Sequence, residues 1–325
     1  FYLPFFSLGR EQEKYFVKSY EKNKNFINLK KYIDEIEKFQ NQAKVMSEMY
    51  QNTETSSYSF TLVDLIKTLY IKTHSFLATI RIYLKNKTVG KFFNTPLYSN
   101  IFKRILYNYV CAFRKFYLYS RFNKFFSPPA DEKYVYLPLH MMPESSTFVL
   151  SPMYVNEMNL IEAISKSLPI DWKLYVKEHQ VMVGMRSLKF YKKAKELHNV
   201  KIIRNDFYSD PKPLIEKSMC VVTITGTSAF EASMLNKPSI VMGNSLHNVI
   251  SSIIIANSYN ELESLFKKIY SNKNSYDNRV DCAAYLKTVE DLGTSIELNY
   301  LTKLCEKKIK LLSLSENEEN QFEYQ

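Results

Sequence analysis

Val221-Val222-Thr223-Ile224-Thr225-Gly226-Thr227-Ser228-Ala229-Phe230-Glu231-Ala232 passes from β-branched apolar residues, through a glycine set among hydroxyls, into a helix-forming stretch. The first part favours a buried strand, and the small hydroxyl residues end it. Gly226 lets the backbone come close to a ligand. Thr227 and Ser228 open the next helix, whose free N–H groups and positive dipole end would face whatever lies above the strand. About one turn later, Glu231 puts a carboxylate where it could accept hydrogen bonds from a ribose diol. Lys237-Pro238-Ser239-Ile240-Val241-Met242-Gly243 then reads as a second short strand ending in glycine. The unit is strand–helix–strand, with a candidate phosphate cradle at Thr225, Gly226, Thr227 and Ser228.

The alternation extends to both sides. Strands are expected at 134–139, 172–176, 200–203, 219–224, 239–242 and 252–255, and helices at 154–168, 188–197, 211–217 (opened by Asp210), 226–235 and 259–270. Such a chain predicts an α/β fold with a doubly wound parallel sheet and a ligand site at the carboxyl ends of the strands. Three loops fall at those ends: Leu139-His140-Met141-Met142-Pro143-Glu144, Lys177-Glu178-His179-Gln180, and Thr225-Gly226-Thr227-Ser228 with Glu231. They offer two imidazoles, a lysine, hydroxyls and carboxylates, a set suited to a sugar carried on a nucleotide phosphate. His179 ranks first, because it follows a buried strand and could donate to a phosphate oxygen as a leaving group departs. His74, His198 and His247 read as structural or solvated, and Trp172 as core.

Ser127-Pro128-Pro129-Ala130-Asp131 is the clearest boundary. It separates a helical region, 1–130, from the alternating region, 131–313, which ends in a closing helix at Leu301–Leu312 and an acidic, frayed tail at 314–325. Three helical blocks are expected before the boundary, at Glu11–Tyr50, Phe60–Leu84 and Ser99–Phe125. Residues 1–130 hold 21 Lys and Arg against 9 Asp and Glu, whereas 131–325 hold 23 against 24, so the excess charge is N-terminal. Within it, residues 65–130 carry twelve Lys and Arg and no acid, interleaved with Tyr and Phe. Such a surface suits anionic lipid, a polyanionic glycan or nucleic acid, but no recognised nucleic-acid-binding motif accompanies it. Cys111, Cys220, Cys282 and Cys305 are far apart without a CxxC pair, which predicts reduced thiols in a cytoplasmic protein and no metal site. No uncharged apolar run reaches the roughly 18 residues of a membrane span.

Several of these strings also resemble a known family. Tyr136-Leu137-Pro138-Leu139-His140 with Pro143-Glu144, Leu174-Tyr175-Val176-Lys177-Glu178-His179, and Thr223-Ile224-Thr225-Gly226-Thr227 with Glu231-Ala232 and Lys237-Pro238 look like the capsule polysaccharide and surface carbohydrate biosynthesis glycosyltransferases. That group includes the Kdo transferases of capsule assembly and is related to the polysialyltransferases. The resemblance implies a GT-B fold, a nucleotide-activated donor held by a C-terminal Rossmann-like domain, and metal-independent glycosyl transfer without a cofactor. It implies that His179 is the donor-binding histidine of a His-Pro motif, that Thr225, Thr227 and Ser228 contact the donor phosphate, and that Glu231 reaches the ribose. The acceptor would be a surface glycan or a lipid-linked glycan at the inner membrane face, with CMP-linked acidic sugars favoured as donors.

The sequence departs from that pattern in two places. Gln180 stands where the family usually has proline, which should loosen the turn that aims His179. Of a second Rossmann-like domain, the usual source of the catalytic base, the helical region 1–130 offers only Phe1-Tyr2-Leu3-Pro4-Phe5-Phe6 as a strand remnant and otherwise reads as a linker or insertion following it, and the chain starts at Phe1 rather than Met. The expectation is therefore a donor half whose acceptor domain lies outside this chain. Two other functions fit the same residues: a nucleotide-sugar 2-epimerase, which would need further acid and base carboxylates, and a non-catalytic nucleotide- or glycan-binding module.

Overall fold

The computed structural model describes residues 10–25, 29–41, 60–85, 101–143, 145–203, 211–271 and 277–291. Glu144, Asp210, Cys305, the closing helix expected at Leu301–Leu312 and the tail 314–325 lie outside the described residues. Among the described residues five helices come first: α1 (Arg10–Lys24), α2 (Lys30–Asn41), α3 (Leu62–Lys85), α4 (Ile101–Ser120) and the single turn α5 (Phe122–Phe125). Within the helical block expected over Glu11–Tyr50, the described residues hold α1 and α2. The alternating part follows as β1 (Tyr134–Pro138), α6 (Ser145–Leu150), α7 (Glu157–Ser167), β2 (Lys173–Lys177), α8 (Leu188–Glu196), β3 (Val200–Ile203), α9 (Lys212–Lys217), β4 (Cys220–Thr223), α10 (Ser228–Met234), β5 (Ser239–Val241), β6 (Ile253–Ile255) and α11 (Leu262–Ser271). A last helix, α12, spans 279–291. Every expected strand is found within two residues of its expected ends. The short helix α6 occupies what reads in sequence as a Pro-bounded loop.

The six strands form one parallel sheet in the order β3-β2-β1-β4-β5-β6. This is the doubly wound arrangement expected, and its order reverses between β1 and β4. Both faces of such a sheet must be covered, because β-branched strands with apolar residues on either side cannot face water. Along β1 the alternation is explicit: Val135 and Leu137 join the cluster that holds Trp172, Ile161, Tyr191 and Phe266, whereas Tyr134 and Tyr136 join Tyr175, Leu214 and Ile215 on the other face. Helices α7, α8 and α11 supply the first layer and α9 and α10 the second.

The N-terminal helices extend that second layer. Phe16 and Tyr20 of α1 and Tyr32, Ile36 and Phe39 of α2 are buried with Ala229, Met234, Val241 and Tyr285. The α2 pattern is an apolar stripe at positions 32, 36 and 39, the spacing that turns one helix face inward. Lys212, itself buried, seals the end of α2 by donating to the Phe39 and Gln40 carbonyls, each at 2.9 Å. After α10 the chain turns through Asn236 at φ 57°, a left-handed conformation that asparagine tolerates, and enters β5.

Two predictions follow from this packing. Phe39→Ala leaves a cavity against the sheet and should cost about 3–5 kcal/mol in urea unfolding; a loss far below that would mean α2 does not belong to the core. His247 is buried beside Ser245, with Nε2 2.8 Å from its hydroxyl, and burial pushes its pKa down to about 4. Below its ordinary value the unfolded chain takes up a proton that the native imidazole refuses. Stability should therefore fall on acidification from near neutrality to about pH 4, by up to about 1.4 kcal/mol per pH unit from this group, and His247→Gln should flatten that slope.

Candidate functional site

Where the strand order reverses, the loops after β1 and β4 part in opposite directions and leave a crevice at the carboxyl ends. His140 lies in the first loop and the turn Thr225–Ser228 in the second. The two are joined by hydrogen bonds. The Ile224 N–H donates to His140 Nε2 at 3.4 Å, Thr223 Oγ1 lies 3.2 Å from the same nitrogen, and the Gly226 N–H donates to Thr223 Oγ1 at 3.1 Å. Thr223 thus links the imidazole to the turn, the donor in its contact with His140 depending on the imidazole tautomer. Sequence placed His140 on the same edge as the turn; the structure brings the two into contact.

Ser228 Oγ shares the surroundings of Gly226 with that histidine, and Ser151 and Thr225 meet at Gly243. Thr225 is 3% exposed, and Thr225 Oγ1, Ser228 Oγ and Ser151 Oγ are buried with no hydrogen-bond partner among the described residues. Two glycines let them approach. A Cβ at Gly243 would lie 1.7 Å from Ser151 Oγ and 2.8 Å from Thr225 Cγ2, and one at Gly226 would lie 2.6 Å from Thr223 Oγ1, 3.3 Å from His140 Cε1 and 3.4 Å from Ser228 Oγ. A buried hydroxyl left unpaired costs about 1–3 kcal/mol, and native proteins carry few of them. Two of the three lie in the Thr225–Ser228 turn, and the third, Ser151, lies against Gly243.

Helix α10 has seven residues, and Thr227 at its N-cap is exposed and makes no side-chain cap hydrogen bond. Glu231 is half-buried one turn into α10, its N–H donating to the Thr227 carbonyl at 3.0 Å.

The loop after β2 is held by a buried ion cluster. Arg186 pairs with Glu157 from α7 and, through Nε, lies 2.9 Å from Glu178 Oε2; its remaining nitrogen donates to the His140 carbonyl at 2.7 Å. Glu157 Oε1 accepts the His140 N–H at 2.7 Å, and Glu178 accepts the His179 N–H at 2.9 Å and the Tyr191 hydroxyl at 2.7 Å. One guanidinium thus fixes the backbone of both histidine loops. Burial pushes the Glu178 carboxyl up, opposed by Arg186 and Tyr191, while the two carboxylates hold the Arg186 pKa up against its own burial. The cluster is therefore a charged unit kept in a dry site by its mutual pairing.

His179 sits where its loop begins, its Nδ1 accepting the Val181 N–H at 3.4 Å and capping a short turn over Gln180–Met182. Its backbone, at φ −68° and ψ 129°, has the extended geometry that a following proline would impose. The side-chain cap spans the turn at Gln180. Lys177 is buried at the end of β2, in register with Pro138 and Ile203. Ser151, Glu157, Arg186 and Tyr191 were not legible as site residues. The available signal was Glu178 itself, a carboxylate directly after a buried strand, which requires a cation from elsewhere in the chain.

Arg186→Met should cost about 3–5 kcal/mol in urea unfolding, because it strands two buried carboxylates. Adding Glu157→Leu and Glu178→Leu to that variant should recover part of the loss. A triple variant less stable than Arg186→Met would show that the cluster is not a self-contained charge unit.

Residues 144–251 match the family model described as capsule polysaccharide biosynthesis protein, a segment that contains His179 and the whole Thr225–Ser228 turn. No curated protein matches the chain in sequence. Among solved structures, it is similar to a KpsC β-Kdo 2,7-transferase from Thermosulfurimonas dismutans at 12% identity, over 54% of this chain and 53% of that one, with a TM-score of 0.34. It is similar to the β-Kdo 2,4-transferase of the same organism's KpsC at 19% identity, over 48% and 45%, with a TM-score of 0.32. The UDP-GlcNAc 2-epimerase of Methanocaldococcus jannaschii matches at 17% identity, over 58% and 54%, with a TM-score of 0.39. The chain spans about half the length of each of these structures. Over residues 144–251 the chain carries the sequence signature of the capsule polysaccharide biosynthesis proteins, the family its strand-end loops resemble.

Proposed function

We propose that this chain is the donor-binding part of a glycosyltransferase of capsule or surface polysaccharide synthesis, and that the crevice between β1 and β4 holds the phosphate of a nucleotide-activated sugar. The observation that carries this reading is the set of buried hydroxyls of Thr225, Ser228 and Ser151, without hydrogen-bond partners among the described residues and inside the segment that matches the family, with His140 against Gly226. A phosphate offers several acceptor oxygens to those donors.

On this reading Thr225, Ser228, Ser151 and Thr227 bind the phosphate and Glu231 accepts from the ribose. His140 supports the floor of the site and His179 stabilises the phosphate as it leaves, with Lys177 adding positive charge behind the loops. Glu144 belongs to the same proposed set but lies outside the described residues. Donors fixed in place before the reaction favour the transition state, in which charge builds on the leaving oxygen, over the ground state. The donor is proposed to be a CMP-linked acidic sugar, the acceptor a surface or lipid-linked glycan at the inner face of the membrane, and the transfer to need neither metal nor cofactor. Glu157 and Glu178 are both committed to Arg186, which favours transfer over an epimerase needing free acid and base carboxylates.

Thermal-shift and calorimetric titration with CMP, CDP, UDP and GDP should give saturable stabilisation by one base above the others. Thr225→Val and Ser228→Ala, which remove only hydroxyls, should each weaken that nucleotide about tenfold while leaving the unfolding midpoint of the free protein unchanged or higher. No stabilisation by any of the four nucleotides, or unchanged affinity in both variants, would overturn the placement of the site.

A further inference from the structure

We infer that the outer face of α3 docks on an anionic lipid surface. Val63, Tyr70 and Leu77, seven residues apart, form one line along the helix and are 58%, 71% and 52% exposed. Lys67, His74 and Arg81, each four residues further on, form a second exposed line directly beside it. Leu62 and Ile66, also exposed, widen the apolar side. The helix therefore presents an apolar stripe with a cationic border, the pattern of a helix lying in the headgroup layer.

Length and polarity agree. Among the described residues no helix is long and apolar enough to cross a membrane, so the face suits lying on a bilayer rather than spanning one. The side of α3 that carries Leu65 is already used: Leu65 is buried, and the Lys115 ammonium of α4 lies 4.9 Å from the Phe60 ring centroid. Thr73, on the flank beside Ile66 and Leu77, has its Oγ1 2.6 Å from the Tyr109 hydroxyl of α4. Helix α4 is seated in turn on the loop before α8. Gly184, at φ 89°, brings that loop so close that a Cβ would lie 2.7 Å from both the Cys111 carbonyl and Lys115 Cβ. The pair α3–α4 is thus fastened to the segment that carries Arg186.

Charge selects the partner. Residues 65–130 contain twelve Lys and Arg and no Asp or Glu. A second copy of this chain would set like-charged borders against each other, and a nucleic acid would meet a centre of exposed aliphatic residues where phosphates need cations. Anionic headgroups satisfy the border while the acyl boundary takes Val63, Tyr70 and Leu77. This inference stands apart from the donor reading and does not depend on it.

The test is co-sedimentation of the full chain with vesicles of phosphatidylcholine alone and of phosphatidylcholine mixed with phosphatidylglycerol, at low and high salt. Binding is expected to the mixed vesicles only, and to weaken as salt rises. Tyr70→Glu with Leu77→Glu should weaken it at least about tenfold, and Lys67→Glu with Arg81→Glu about tenfold, with circular dichroism and nucleotide titration unchanged in both. Ile255→Glu, an exposed apolar residue at the far edge of the sheet, should leave it unchanged. Equal binding to neutral vesicles, loss with Ile255→Glu, or retention in both α3 variants would overturn the inference. So would a dimer in solution that the Tyr70→Glu and Leu77→Glu variant dissociates while vesicle binding persists.

Discussion

The constraint on which this structure turns is the reversal of strand order between β1 and β4. Two adjacent parallel strands whose following helices go to opposite faces must leave a gap at their carboxyl ends, because neither connection can cover it. Whatever side chains the two loops hold are therefore brought together without being near in sequence. Here they are His140 and the turn Thr225–Ser228, eighty or more residues apart and linked through Thr223. The Thr223 hydroxyl, at the last residue of β4, accepts from the Gly226 N–H and hydrogen-bonds His140 Nε2.

A second element keeps that gap in shape. Arg186 holds the His140 carbonyl and, through Glu178, the His179 N–H, so the loops after β1 and β2 move as one unit. Burying three charges is expensive, and a well-packed apolar trio would serve stability at least as well. What the ions add is direction: each hydrogen bond sets the position of one backbone group, which apolar packing cannot do. The cost falls beside the two histidine loops, and Tyr191 and the aromatic side chains around it bury the cluster from behind.

The helices before the sheet divide into two roles by their surfaces. Helices α1 and α2 spend their apolar stripes on the second face of the sheet, through Phe16, Tyr20, Ile36 and Phe39. Helices α3 and α4 pack on each other and leave aliphatic and aromatic residues exposed along α3. Composition alone does not separate the pairs, since both are basic and rich in Tyr and Phe. Only the partners found in three dimensions distinguish a core helix from one with a face to spare.

By itself, the sequence determined the order of the six strands and of helices α7 to α11, whereas α6 and α12 were not expected. β-branched runs four to six residues long, alternating with 3.6-periodic stretches, leave a parallel α/β sheet as the consistent answer. It also pointed to the turn around Gly226, because strand, glycine, hydroxyls and carboxylate stand in a row. Tertiary structure alone decided which of those residues have unmet hydrogen-bonding capacity. Thr227 and Ser228 look alike in sequence, yet Thr227 faces water while the Ser228 hydroxyl is buried beside Gly226. The partners of Glu178 were likewise invisible, because Glu157 and Arg186 come from separate segments and meet it only through folding. Local pattern sets backbone conformation, since it acts within a turn or a strand. Desolvation and charge pairing depend on what the rest of the chain brings alongside.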